Sequence, residues 1–216
     1  MLILLPPSEG KSTPDSGDTL KLDGLSFSHE LAPIRSSLIS SVDREKFCRP
    51  AYEIYSGVLY QALSWGTLPK VAQKRGSTSL IIVSALFGAL RMHDVIPFYK
   101  AKMKTSLWKG ALASVLDSIE AELIVDCRSS TYSGVWVPDP SKTVVVRVFK
   151  VEGKNRSVIT HMSKKYRGEL TRYLLLEGVE PRTPTELRDA ASKYFDCELV
   201  ANVGAEPWKL DLLITL

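Results

Sequence analysis

Four segments of this chain concentrate side chains able to bind charge or move protons. They are Ser8-Glu9-Gly10-Lys11, the run from Ser84 to Tyr99, Asp126-Cys127-Arg128-Ser129-Ser130-Thr131-Tyr132, and Lys164-Lys165-Tyr166-Arg167-Gly168 with Arg172. Lys11 and Arg91 could hold a phosphate or carboxylate. Asp94, Asp126 and Glu9 are candidate general bases, and Tyr132 or Ser129 candidate proton donors. No nucleophile and base stand at a readable spacing, so the reaction class stays open. A structural reading stands beside this one: Arg91 and Asp94 could pair across one helical turn, worth about 0.3 kcal/mol, Asp126 could cap a loop, and Tyr55 could be core.

The first segment invites comparison with a phosphate-cradling loop, because Gly10-Lys11-Ser12 ends like one. That loop needs a glycine five positions earlier and successive backbone N–H groups. Leu5 holds that position, and Pro6 and Pro7 have no N–H to give. A helix should also open at once, yet Thr13-Pro14-Asp15-Ser16-Gly17-Asp18 is turn chemistry. The segment therefore reads as a strand end presenting Glu9 and Lys11 on a stiff loop.

The elements that must position these residues follow from hydrophobic periodicity. Continuous apolar runs predict buried strands at 2–5, 79–84, 123–127 and 143–151, with another at 197–203. Helical spacing predicts amphipathic helices over 51–64 and 107–122, and a third starting near Thr160 with Met162, Tyr166, Leu170, Tyr173 and Leu174 on its core face. On that third helix His161, Lys165 and Arg172 share a stripe, with Gly168 beside it. A mid-helix glycine costs about 1 kcal/mol relative to alanine, which suggests close approach of another backbone or a ligand; a solvated basic face with an incidental glycine is the other reading. Strands alternating with helices predict a mixed α/β (α+β) fold around one sheet. The turn-rich stretches at 13–24 and 134–142 read as surface loops within a single domain spanning 1–216.

Composition narrows the class. The 216 residues are 44% hydrophobic and 24% charged, as in ordinary globular proteins, and the net charge of +4 suits an anionic partner without requiring one. Cys48, Cys127 and Cys197 are too far apart for a metal knuckle and read as reduced thiols of a cytosolic protein. The apolar start stops at Pro6 and reads as a strand, not a signal peptide; no run is long enough to span a membrane. His29, His93 and His161 are dispersed, so no metal site or cofactor is expected.

In order along the chain, Tyr55-Ser56-Gly57, the Gly88-x-Leu90-Arg91-x-x-Asp94-x-x-Pro97-x-Tyr99 spacing and Lys164-Lys165-x-Arg167-Gly168-x-x-x-Arg172 resemble the YaaA family of peroxide stress proteins. The resemblance implies a cytosolic protein that limits damage from unincorporated iron. It also implies a mixed α/β fold with a basic cleft, a helix-hairpin-helix-like element and binding of DNA, duplex or distorted, without sequence specificity. On that view Lys11, Arg91, Arg128, Lys164, Lys165, Arg167 and Arg172 would meet phosphates, and the Gly88 turn would offer N–H groups. Tyr99 and Tyr132 would stack on an exposed base. An enzyme acting on a small phosphate-bearing or nucleotide substrate in the same cleft is the alternative, and direct iron coordination ranks last. This chain departs from the family pattern at Ser8-Glu9-Gly10-Lys11, where many relatives have a shorter Pro-Ala-Lys, at Thr131, where they have an acidic residue, and in being shorter than most.

Overall fold

The computed structural model describes residues 1–153, 155–159, 162–178 and 180–215. The chain runs through β1 (Leu2–Leu5), α1 (Ser28–Leu38), α2 (Ser41–Glu45), β2 (Cys48–Pro50), α3 (Ala51–Ile54), α4 (Val58–Leu63), α5 (Lys70–Ser79), β3 (Leu80–Ser84), β4 (Gly88–Leu90) and β5 (Val95–Pro97). It continues through α6 (Thr105–Leu116), β6 (Ile124–Asp126), α7 (Ser130–Ser133), β7 (Thr143–Glu152), β8 (Asn155–Val158), α8 (Ser163–Glu177), α9 (Pro184–Ala191), β9 (Asp196–Val200) and β10 (Trp208–Ile214).

Among the described residues the main sheet has the order β4-β3-β1-β6-β7-β10-β9, with β8 hydrogen-bonded to β7. Its centre is parallel: β1 pairs with β3 and β6, and β7 with β6 and β10. Strands β4, β8 and β9 join antiparallel. Buried on both faces, β1 reads as a continuous apolar run. Ile3 and Leu5 pack with residues of α3, α4, α5, α8 and α9, while Leu2 and Leu4 pack with Leu31 of α1 and Trp108, Leu112 and Val115 of α6. The mixed α/β class follows directly from this layering.

Topology selects one place for a ligand. The chain leaves β1 for β3 on one side, then crosses back to β6 on the other, so the strand order reverses at β1 and β6. In open α/β sheets the crevice outside the carboxyl ends of strands at such a point is the usual ligand site.

Several elements differ from the sequence expectation. The helix over 51–64 is two short helices, because Tyr55 forms a β-bridge with Lys11 and Ser56 N–H donates to the Gly10 carbonyl at 3.0 Å. The last strand expected at 197–203 is β9, and a further strand, β10, lies between it and β7. On α8 the buried face includes Tyr166, Leu170 and Leu174 as expected, but Met162 is exposed and Tyr173 stacks on Tyr194 at 4.0 Å. Thr160 and His161 lie outside the described residues. Arg91 and Asp94 follow a strand and do not share a helix; Asp94 accepts instead from the backbone N–H of Arg91 at 2.7 Å.

Candidate functional site

Four segments meet at the carboxyl ends of β1 and β6: Pro6–Gly10 after β1, Gly57–Tyr60 opening α4, the Ser129 and Tyr132 turn after β6, and Ser163, Lys164 and Arg167 at the start of α8. They enclose a cavity of about 320 Å³, at the lower end of the size range of small-molecule sites. The prolines explain its first wall. Pro6 and Pro7 stiffen the exit from β1, and the Pro6 carbonyl accepts a hydrogen bond from the buried Tyr60 hydroxyl at 2.8 Å. Ser8 Oγ accepts from Gly57 N–H at 2.8 Å; a Cβ on Gly57 would come within 2.2 Å of that oxygen, so only glycine lets the two walls close. Ser12 N–H donates to the Ile54 carbonyl at 2.8 Å, completing the seam between the first loop and the α3–α4 break.

Lys11 lies along this seam. Its Nζ donates to the Ser8 carbonyl and stands 4.4 Å from the Tyr99 ring centroid and 5.8 Å from that of Tyr55. Burial lowers its pKa, and the Glu9 carboxylate opposes that shift. The two tyrosines are buried and fixed by their hydroxyls, with Tyr55 to Tyr99 at 2.7 Å and Tyr99 to Ser84 Oγ at 2.8 Å. Ser84 Oγ accepts in turn from the backbone N–H groups of Leu86 at 3.3 Å and Phe87 at 3.1 Å. Burial pushes the phenols of Tyr55, Tyr60 and Tyr99 upward. Tyr132, half-buried in the cavity wall, shifts upward by burial first and the Glu9 charge second. All four phenols are held as neutral donors at neutral pH. Glu9 itself is solvent-exposed and 3.8 Å from Lys164, an ion pair across the cavity mouth.

Arg167 spans from α8 to the sheet, donating to the carbonyls of Val146 at 2.9 Å and Arg128 at 3.3 Å, and its remaining surface lines the cavity. Of the residues expected from sequence, the cavity thus gathers Ser129, Tyr132, Lys164 and Arg167, with Lys11 and Tyr99 against the same seam. The others lie apart from it. Arg128 is buried in a bidentate pair with Asp126 at 2.7 and 2.9 Å, and it also donates to the Tyr132 carbonyl. That pair fixes the turn on which Ser129 and Tyr132 stand. Arg91 reaches the carbonyls of Thr78 and Leu80, toward the amino end of β3 and so away from the cavity. Asp94 is buried and saturated, accepting from Ser26 N–H and Oγ and from Arg91 N–H.

Gly88 opens β4 in a hairpin at φ +74°, under the Trp108 ring, where a Cβ would sit 2.5 Å from a ring carbon. Its turn is buried and joins two strands. Lys165 pairs with Glu169 at 3.6 Å. Arg172 donates to the Leu63 and Ser64 carbonyls, both at 3.0 Å, at the end of α4, where the last helix carbonyls lack intrahelical donors; the Ser64 carbonyl also accepts from Thr67 N–H at 3.0 Å. Gly168 meets the close backbone that its position suggests: a Cβ there would lie 2.2 Å from the Leu59 carbonyl oxygen.

Sequence reasoning passed over Ser8 and Tyr60 as site residues and passed over Arg35 altogether. Arg35 is fully buried and donates to the Ser26, Phe87 and Ala89 carbonyls at 2.8 to 2.9 Å. It sits on an apolar helix face, where a charged residue is itself a signal, since a buried arginine must find carbonyl or carboxylate partners.

Fold and site together define a mixed α/β protein with an enclosed, cation-flanked cavity at the switch point of its sheet. Residues 21–198 match the family described as peroxide stress protein YaaA, and the chain belongs to that family. A UPF0246 protein of Streptomyces coelicolor is 33% identical over 259 aligned positions, covering 99% of this chain and 98% of the relative. The alignment is longer than the chain, so the relative carries insertions. A UPF0246 protein of Corynebacterium efficiens is 36% identical over 233 positions, covering 88% of this chain and 91% of its own length. An uncharacterized protein of Campylobacter jejuni is 30% identical over 159, covering 69% and 61%. Family membership supports a role in peroxide stress.

Proposed function

We propose that this protein serves the peroxide stress response by binding a phosphate-bearing nucleotide in the cavity between the carboxyl ends of β1 and β6. The observation that carries the reading is the enclosure at the switch point, with Lys164 and Arg167 on one wall and Tyr132 and Ser129 on another. The two cations suit a phosphate, and the half-buried phenol offers both a ring face for a base and an O–H donor. Turnover of the nucleotide is compatible with this arrangement, with Tyr132 in the cavity wall as the proton-bearing group. Any effect on unincorporated iron is indirect, through the bound ligand. The site of action is the cytosol.

A second reading keeps DNA as the partner, with one nucleotide unit entering the cavity and the strand running over its rim as a basic cleft. The exposed Lys164 at the mouth and the neighbouring Lys165 favour it. The test is an equilibrium titration of mononucleotides, inorganic phosphate and single- and double-stranded oligonucleotides across a salt series. Saturable mononucleotide binding that Lys164→Ala weakens supports the first reading. Binding of oligonucleotides alone, falling steeply with salt, supports the second. Absence of all binding refutes both.

A further inference from the structure

We infer that the lysine strap between β5 and α6, with Phe47 beside it, is a docking surface for the anionic lipid of a membrane face. From Val95 to Leu116 the chain has no aspartate, glutamate or arginine, and it carries Lys100, Lys102, Lys104 and Lys109. Those four charges equal the net charge of +4, so the rest of the chain is balanced. All four lysines are exposed, and none pairs with a carboxylate among the described residues, whereas Lys46, Lys165 and Lys209 do.

The fold holds this charge in one place. Tyr99 is buried, with its hydroxyl tied to Tyr55 and Ser84, and Met103 packs against the core side that α1 and α6 cover. Around these two anchors the strap turns Lys100, Lys102 and Lys104 to solvent. An apolar flank adjoins it. Cys48 pairs with Pro97 in the β2–β5 ladder, so Phe47 and Phe98 follow as neighbours just past its end, and both line a shallow groove with Thr13 and Pro14. Phe47 is 46% exposed, and Phe98 lies two positions before Lys100.

Surfaces that serve only solubility mix both signs of charge, whereas a block of one sign draws a polyanion. Side-chain chemistry selects which polyanion. Nucleic-acid contacts add arginine, serine, threonine, asparagine and glutamine to lysine. Residues 95–104 contain none of those additions, only lysines set among apolar side chains and the buried Tyr99. Lysine charge beside an exposed phenylalanine suits an anionic bilayer surface: the ammonium groups are drawn to the headgroups, and the ring enters the boundary beneath them. Such association is peripheral and reversible, and no described helix is long and apolar enough to cross a membrane. The inference is independent of the nucleotide reading of the cavity.

The experiment floats the whole protein with vesicles of phosphatidylcholine, alone or mixed with phosphatidylserine, across a salt series. It is repeated with the triple variant Lys100→Gln, Lys102→Gln, Lys104→Gln and with Phe47→Ser, each checked for an unchanged urea midpoint. The wild type is expected to float with the mixed vesicles, to ignore phosphatidylcholine alone, and to be released as salt rises. Each lysine near an anionic surface contributes about fivefold to partitioning, so the triple variant should bind about a hundredfold more weakly, with a shallower salt dependence. Phe47→Ser should weaken binding at every salt concentration and leave the salt dependence as it is. A wild type that does not bind the mixed vesicles at low salt overturns the inference, as does a triple variant that binds like the wild type. Oligonucleotide binding that the triple variant loses, with vesicles ignored by both proteins, also overturns it and gives the strap to a nucleic acid.

Discussion

Replacing Gly168 by alanine sets two effects of known size against each other. Helix propensity favours alanine by about 1 kcal/mol in a helix interior. The contact opposes it: the new Cβ would stand 2.2 Å from the Leu59 carbonyl oxygen and 3.0 Å from both the Leu59 carbonyl carbon and Ala62 Cβ. An ordinary carbon–oxygen contact is about 3.3 Å, so α4 and α8 must part by roughly 1 Å. The obstacle is backbone in a helix and cannot rotate away. Overpacking of this kind costs about 1 to 3 kcal/mol, and its upper range applies here, leaving a net loss of about 1 to 2 kcal/mol. Urea unfolding at 25 °C measures it as a lower midpoint at unchanged slope. Because α4 and α8 also form two walls of the cavity, nucleotide affinity should fall in the same variant. A midpoint equal to or above that of the wild type would falsify the account of this glycine as a site of close helix packing.

Other consequences are as direct. Asp126→Asn leaves the Arg128 guanidinium, 1% exposed, without its counter-charge; a loss of about 3 to 5 kcal/mol is expected by denaturant unfolding, and a loss below 1 kcal/mol contradicts the structural role given to the pair. Gly57→Ala should displace Ser8 Oγ, 2.2 Å from the new Cβ; ligand affinity then falls, and retention of full affinity shows that this seam does not shape the site. Lys11→Met tests the pH linkage. The folded-state pKa of Lys11 lies below the ordinary 10.5, so between those two values the unfolded chain binds more protons, and stability rises with pH. The stability of the wild type relative to Lys11→Met should therefore increase as pH climbs through that window, and a flat or falling difference contradicts the burial of this amine.

The legible parts of the fold were those governed by local burial. Strands β1, β3 and β6 are covered on both faces, and their apolar runs report this without any knowledge of partners; β7 buries Val144, Val146 and Val148 on one face and leaves Val145, Arg147 and Phe149 partly exposed on the other. The failed phosphate loop was equally legible: no helix follows β1 until Ser28, as the turn chemistry of residues 13–18 requires. What stayed hidden depends on distant residues. The break at Tyr55 exists because Lys11 bridges to it, across 44 positions of sequence. Asp94 looks like half of an Arg91 pair until Ser26 supplies two of its donors. Arg128 and Arg172 carry the charge of phosphate ligands, but a buried carboxylate and the carbonyls at the end of α4 use that charge. Net charge and spacing cannot separate a cation that faces solvent from one that closes a helix end. In the candidate site, Lys164, Arg167, Ser129 and Tyr132 were legible as residue types following strands or opening a helix, and their convergence came from topology alone.

The central claim is that the cavity between β1 and β6 is the ligand site. A crystal structure of the protein soaked with a nucleoside monophosphate tests it most directly. The account predicts the phosphate within hydrogen-bond distance of Lys164 or Arg167 and the base against Tyr132. A nucleotide bound elsewhere on the protein, with this cavity holding only water, contradicts it.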